Sequence, residues 1–387
     1  MRIEAENIER FAEILEDFGM ERIFECFNCG NCTAICPVND NEHLFPRRLM
    51  RYAQLGANEV LLDNDDVWLC LVCRHCTVTC PREARPSELM VAARKAIVEA
   101  GGAPKHIADF LTNIQKQKNP WGVGKFKRSD WTKKSEVEVP TVKDKPEFEW
   151  LWFVGCAHSF DNRNTSVTLK LARIFNEIGL NFAILGREEG CCGNDVRRAG
   201  EEGLFELLAE ENIKTFEKYG VKKIVTASPH CYNTLKNEYD GYEVKFALEI
   251  IYEAIKSGKL QLKHPIDRKV TYHDPCYLGR YNGVYELPRE VLKLIPGVKL
   301  VEMPRNRSMS FCCGGGNGNI VGEYPGKFRP NNIRAKEAAE TGADILAVAC
   351  PFCMIMLEDG LKTQKFDKSM DVRDIIELVY LSAFGEE

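Results

Sequence analysis

The chain has 387 residues, 44% hydrophobic and 28% charged, with a net charge of −5. That is the balance of a globular protein able to bury two or three cores, and it carries no electrostatic footprint for nucleic acid. No run approaches the ~18 apolar residues that a membrane-spanning helix needs.

In chain order, the N-terminus MRIEAENIERFAEILEDF is acidic and amphipathic and lacks the basic and apolar regions of an export signal. A cytoplasmic, reducing compartment is therefore expected, with contact to a membrane only through a partner protein. There, 17 cysteines point to metal ligation rather than to disulfides. Eight of them lie between residues 26 and 80, flanked by helical patterns with little strand signal, so residues 1–105 are expected to form a mainly helical domain. They are written twice in one spacing, C-x2-C-x2-C-x3-C-P, over residues 26–37 and 70–81. This is the spacing of a two-cluster iron–sulfur site, in which the first three cysteines wrap one cluster and the fourth ligates the other. The expected sets are Cys26, Cys29, Cys32 and Cys80 for one cubane [4Fe–4S] cluster, and Cys70, Cys73, Cys76 and Cys36 for its partner. Zinc also uses C-x2-C pairs, but not four cysteines per run, twice, with proline after each. His75, inside the second run, reads as a loop histidine facing solvent or a sulfur.

Residues 106–147 contain no cysteine and carry Asn119-Pro120-Trp121-Gly122 and then a mixed-charge stretch, a composition that reads as a linker. Its basic run Lys125 to Arg128 is expected to be solvated.

The rest is an internal repeat with a period of about 120 residues. Residues 148–262 hold strand-like runs at Trp150–Val154, Phe182–Leu185 and Lys223–Thr226, with helical patterns near Thr165–Ile178 and Glu201–Lys218. Residues 263–387 repeat this with Lys269–Tyr272, Lys299–Glu302 and Ile345–Val348, and helices near Pro288–Leu294 and Asn331–Glu340. Ile375–Phe384 reads as an amphipathic terminal helix. Strand runs alternating with helical ones predict a duplicated α/β domain with parallel sheets. The cysteines fall where strands end, the place at which open α/β folds gather functional groups. They are Cys156, Cys191, Cys192 and Cys231 in the first copy, and Cys276, Cys312, Cys313, Cys350 and Cys353 in the second. Aligned on their prolines, Ser228-Pro229-His230-Cys231 and Cys350-Pro351-Phe352-Cys353 differ at the first position, where the first copy has serine.

The second copy's pattern, C-x35-C-C-x36-C-x2-C, resembles the cysteine-rich CCG domain of heterodisulfide reductases. The fusion of a two-cluster ferredoxin domain to two such domains resembles the HdrD subunit of heterodisulfide reductases and its relatives, over nearly the whole chain except the linker. The resemblance implies a noncubane [4Fe–4S] cluster on Cys276, Cys312, Cys313, Cys350 and Cys353, where a disulfide can be attacked. Gly314-Gly315-Gly316 would let the backbone pass close to the cluster and donate N–H groups to its sulfurs. His273 and Asp274, just before Cys276, are candidate proton donors or, equally, loop-fixing groups, and His158 and His230 stand similarly in the first copy. The four thiolates of the first copy suffice for a further iron–sulfur cluster, with Ser228 in place of the fifth.

No Walker or dinucleotide-binding glycine spacing occurs, so no nucleotide site is expected. The chain therefore needs a redox partner: a flavin or iron–sulfur protein, or a membrane cytochrome. The functional expectation is an oxidoreductase subunit that passes electrons from the N-terminal cubanes to the second CCG site, where a disulfide or a partner's cofactor is reduced. A relay inside a quinone-linked or acyl-CoA reductase complex, such as benzoyl-CoA reductase, is the alternative within that class. A zinc-binding or thiol redox-sensor scaffold is the alternative of another class.

Overall fold

A computed structural model describes residues 13, 15–17, 19–20, 22–39, 44–322 and 329–385. The amphipathic pattern read at the N-terminus lies largely outside them.

The N-terminal part is helical, as its composition predicts. Short helices α1 (Asn31–Ala34), α2 (Arg47–Gln54), α3 (Asn58–Leu62) and α4 (His75–Val78) precede the longer α5 (Pro86–Glu99) and α6 (Lys105–Gln117). Helix α5 has proline in its first turn, where no N–H is needed, and buries Leu89, Met90, Ala92, Ala93 and Ile97 along one face. The two cysteine loops share an unusual backbone. Residues on either side of the second cysteine are left-handed in both: Asn28 (φ 61°) and Gly30 (φ 85°), then Val72 (φ 49°) and Arg74 (φ 61°). A β-branched residue at such a φ is strained. Val72 is held there by hydrogen bonds from its N–H to Cys70 Sγ (3.3 Å) and from the Tyr281 hydroxyl to its carbonyl (2.7 Å).

Two four-stranded parallel sheets follow. In the first, β1 (Trp150–Trp152), β2 (Phe182–Ala183), β3 (Lys223–Thr226) and β4 (Glu243–Phe246) take the order β2-β1-β3-β4. The second, with β5 (Lys269–Tyr272), β6 (Lys299–Leu300), β7 (Ile345–Val348) and β8 (Asp371–Asp374), takes the matching order β6-β5-β7-β8. Helices complete each unit: α7 (Cys156–Phe160), α8 (Asn162–Glu177), α9 (Asn194–Arg198), α10 (Glu202–Lys218), α11 (Pro229–Asn237) and α12 (Ala247–Lys256) in the first, and α13 (Glu286–Leu294), α14 (Pro330–Ala339), α15 (Pro351–Thr363) and α16 (Ile375–Phe384) in the second. The duplicated α/β class is as expected. Both orders reverse direction between the first and third strands. The carboxyl ends of those strands, β1 with β3 and β5 with β7, open the crevice in which such folds place their sites.

Two readings need correction. The stretch after residue 105 is not a bare connector. Helix α6 buries Ile107, Phe110, Leu111 and Ile114, and Trp131 packs edge-on against Trp152 at 5.5 Å in the core of the first sheet. Within the basic run, Lys125, Phe126 and Lys127 are exposed but Arg128 is buried. Helix α16 is buried on most sides rather than amphipathic, because the first unit packs over it. Glu377 is enclosed and takes the Arg163 guanidinium of α8 at 2.6 and 2.8 Å.

Candidate metal centres

All 17 cysteines are free thiols. In the N-terminal domain, Cys36, Cys70, Cys73 and Cys76 line one small cavity with Phe45, Met90 and His75. The first run's fourth cysteine is thus brought to the second run's first three. Burial pushes the Cys36 and Cys76 thiols well up, and neighbouring thiols add to it. Cys26, Cys29 and Cys32 lie on the other loop, and Cys32 is raised to about 11 by burial and by Cys26. The chain leading into Cys80 is pinned to that loop by Asn31 Nδ2 donating to the Thr79 carbonyl at 2.8 Å. Cys29 is exposed. His75 does not face solvent: it is buried, neither ring nitrogen has a partner among the described residues, and burial, with the Arg280 and Arg305 charges, holds it at about 4.

In the first α/β unit, Cys156 opens α7 directly after β1, Cys191 and Cys192 follow β2, and Cys231 lies in the first turn of α11 after β3. Gly155 (φ 81°) stands where a Cβ would come within 3.0 Å of Cys231 Sγ, so glycine alone lets the first and third strand ends converge. The Cys191 and Cys192 carbonyls are fixed by Asn212 Nδ2 (2.8 Å) and the Tyr239 hydroxyl (3.2 Å). Ser228 is buried, and it flanks the Gly155 position together with Cys231 Sγ, so it belongs to this site. Arg128 was missed by sequence reasoning. Its guanidinium lies 3.6 Å from Cys156 Sγ and 2.9 Å from Glu189, whose carboxylate also accepts from the Val154 and Gly155 N–H groups at 2.8 and 2.9 Å. A basic run in a linker-like composition gave no signal for this. His158 is buried without a polar partner for its ring among the described residues.

In the second unit, Cys276 follows β5, Cys312 and Cys313 follow β6, and Cys350 and Cys353 bracket the start of α15 after β7. Cys353 Sγ lies 3.3 Å from Cys313 Sγ, and one ring nitrogen of His273 lies within 4.8 Å of both. Cys312 reaches Cys276 and Cys313. His273 Nδ1 accepts from Arg334 Nε at 3.1 Å, which leaves Nε2–H to face the sulfurs, and burial lowers its pKa. Asp274 has the loop-fixing role: it takes Arg289 bidentately at 2.6 and 2.9 Å and accepts from the Arg307 N–H at 2.8 Å. Burial pushes Cys350 up, but the neighbouring Cys353 and the first unit's His230 lower it to about 6.

The N-terminal domain docks on the second unit at these cysteines. Cys312 is the chief neighbour that, with burial, pushes the Cys73 thiol well up. Arg280 clamps the seam, donating to the Cys73 carbonyl at 2.6 Å and the Ser310 carbonyl at 2.7 Å. Gly316 explains part of the glycine run differently from expectation: a Cβ there would sit 2.3 Å from the Leu71 carbonyl oxygen. It admits the cysteine loop of the other domain rather than a cluster.

These donor sets fit iron–sulfur clusters. Burying a thiolate is costly without a cation, and a metal deprotonates its thiols outright. Unlinked sulfurs at 3.3 Å in a dry interior are arranged for a shared core, not for solvent.

The site and fold together define an iron–sulfur electron-transfer protein. The 4Fe-4S dicluster domain matches residues 22–84, and the cysteine-rich CCG domain matches residues 150–236 and 270–358. The chain is 34% identical to a probable iron-sulfur-binding oxidoreductase, FadF, of Bacillus subtilis, over 96% of this chain and 62% of that protein. It is 33% identical to the EtfAB:quinone oxidoreductase of Syntrophomonas wolfei, over 97% of this chain and 61% of that one. It thus spans about three-fifths of the length of these two relatives. To the HdrD subunit of the dihydromethanophenazine:CoB–CoM heterodisulfide reductase of Methanosarcina barkeri it is 33% identical over 92% of both chains. The chain belongs to the HdrD family of heterodisulfide reductase proteins. Among the described residues, no helix is long and apolar enough to cross a membrane.

Proposed function

We propose that the chain is the redox subunit of a heterodisulfide reductase-like complex. Cys26, Cys29, Cys32 and Cys80 hold one cubane, and Cys36, Cys70, Cys73 and Cys76 the other. Cys276, Cys312, Cys313, Cys350 and Cys353 hold a noncubane cluster, and Cys156, Cys191, Cys192 and Cys231 a further cluster. When bound, these groups supply one-electron transfer. The observation that carries the reading is the Arg280 clamp between the Cys73 and Ser310 carbonyls, which sets the Cys70–Cys76 loop against the cysteines of the second α/β site.

The substrate class is a disulfide, which takes up two electrons and two protons to give two thiols. His273 Nε2–H hydrogen-bonds the departing sulfur as its negative charge develops, while Arg334 fixes the ring from the other side, and both protons of the two thiols come from solvent. Electrons come from a partner, a flavin or iron–sulfur protein or a membrane cytochrome. Relay to a partner's cofactor is the second reading, favoured by Ser228, which leaves one complete five-cysteine site instead of two.

The test is anaerobic purification, with about sixteen irons and sixteen sulfides expected from four clusters. Dithionite-reduced protein should then be reoxidised by an added heterodisulfide, and the Cys312→Ser variant should not be. Reoxidation only by a quinone-linked partner would select the relay. Colourless protein with stoichiometric zinc would overturn both readings.

A further inference from the structure

The two α/β units meet along a seam, and the residue two places after Ser228 or Cys350 lies on it in both. In the first unit this is His230 and in the second Phe352, and their rings touch, 4.2 Å between centroids. On its other side the His230 ring packs on Tyr277 at 4.3 Å. Tyr277 directly follows Cys276, and Phe352 lies between Cys350 and Cys353. An imidazole carried by the first unit is therefore lodged among the cysteines of the second.

Its orientation is set from its own side. Nδ1 meets the Asn194 amide at 3.2 Å and the Asp195 carboxylate at 3.2 Å, both at the start of α9. Asn194 is itself locked, with its Oδ1 accepting from the Thr234 hydroxyl at 3.1 Å. With Nδ1 taken, Nε2 is the atom left for the Cys350 sulfur. Phe352 returns nothing of the kind to the first site. The asymmetry runs in one sense: the unit with serine supplies the donor, and the unit with the fifth cysteine receives it.

We propose that His230 is a positioning residue of the second site, donating an N–H···S hydrogen bond across the seam to Cys350 and so setting the electronic character of that fifth sulfur. The proposal rests on the reading of Cys350 as a ligand. It gives the first unit a role in the second site's chemistry that is independent of what its own four cysteines hold. Hydrogen bonds to a ligating sulfur stabilise the more negative, reduced state and raise the potential.

The test is EPR-monitored redox titration of the full, anaerobically prepared chain and its variants. His230→Phe makes the seam symmetric and removes the donor. His230→Gln keeps an N–H, and Cys350→Ser probes the ligand itself. His230→Phe should retain the full iron and sulfide content but shift the second-site signal to lower potential, with the cubane signals unmoved. His230→Gln should recover part of that shift. An unchanged potential in His230→Phe, or equal shifts in both His230 variants, would mean that the ring only packs, and would overturn the proposal. If His230→Phe does not fold, His230→Ala takes its place as the variant without the donor, and a potential of His230→Gln equal to that of His230→Ala overturns the hydrogen-bonding role. A second-site signal untouched by Cys350→Ser would sink the ligand reading and the proposal with it. An altered signal there beside unmoved His230 variants would sink the proposal alone.

Discussion

Ser228 and Cys350 hold equivalent positions after β3 and β7, and both are buried against the sulfurs of their own sites. The serine side chain lies beside Cys231, so the first unit keeps the five-position pattern of the second with an oxygen in one place. Restoring the thiol is the direct probe. Ser228→Cys should change the EPR and absorption spectra of the first-site cluster toward those of the second, while leaving the cubane signals alone. An unchanged spectrum would mean that residue 228 does not face the metal. At this scale the sequence was legible where chemistry is written in spacing, which brought Cys36 to the Cys70 run and paired Ser228 with Cys350. It was opaque where a single long side chain reaches in from elsewhere. Nothing local distinguishes Arg128 from the lysines beside it, since its burial depends on Glu189, 61 residues away. His230 was visible as a neighbour of Cys231, but its contact with the other unit is a property of the seam.

Among the elements, six strands were readable because each is an apolar run before a cysteine loop. Strands β4 (Glu-Val-Lys-Phe) and β8 (Asp-Val-Arg-Asp) were not. They are sheet-edge strands of four residues whose alternate charged side chains face water, a pattern too short to separate from a loop. Docking between elements was equally hidden, since Gly316 looks in sequence like part of a cluster loop. Gly316→Ala should cost about 1–3 kcal/mol through overpacking, because the obstacle is the Leu71 backbone and cannot rotate away. Denaturant unfolding checks the cost, and slowed reoxidation of the cubanes through the second site checks the seam. The segment before β1 is also tied down electrostatically. Glu188 is held down at about 2, chiefly by Lys143, then by Tyr219 and Lys218. A depressed carboxylate stabilises above its ordinary pKa and loses that effect as pH falls to the folded value. The deficit of Glu188→Gln, at most about 1 kcal/mol for so exposed a cluster, should therefore be full at pH 7. It should fade from pH 4.5 toward about 2, read as the difference in denaturant midpoint between apo-proteins.

For the whole molecule, the domains differ in what holds them up. The two α/β units share one continuous buried core, with Trp152 packed against Phe175 and Phe182 in the first and Leu346, Val348 and Leu357 buried in the second. The N-terminal cysteine loops instead rest on four-residue helices around a cavity lined by their own cysteines. Folding of such loops is coupled to the metal. Removing iron with a chelator should open the region before residue 105 to proteolysis while the two sheets stay resistant, so the first cuts should map to the cysteine loops. Equal protection throughout would show that the loops fold without their clusters.

The contact of Gly316 with Leu71 leaves no room for even a methyl group between the two domains. Electron tunnelling falls off exponentially with distance, so a joint that could slide would turn one rate into a broad spread of rates. A seam closed backbone to backbone fixes the gap beside Cys73 and Cys312. On the proposed reading, the pace of transfer between those sites is then set by how the two domains pack.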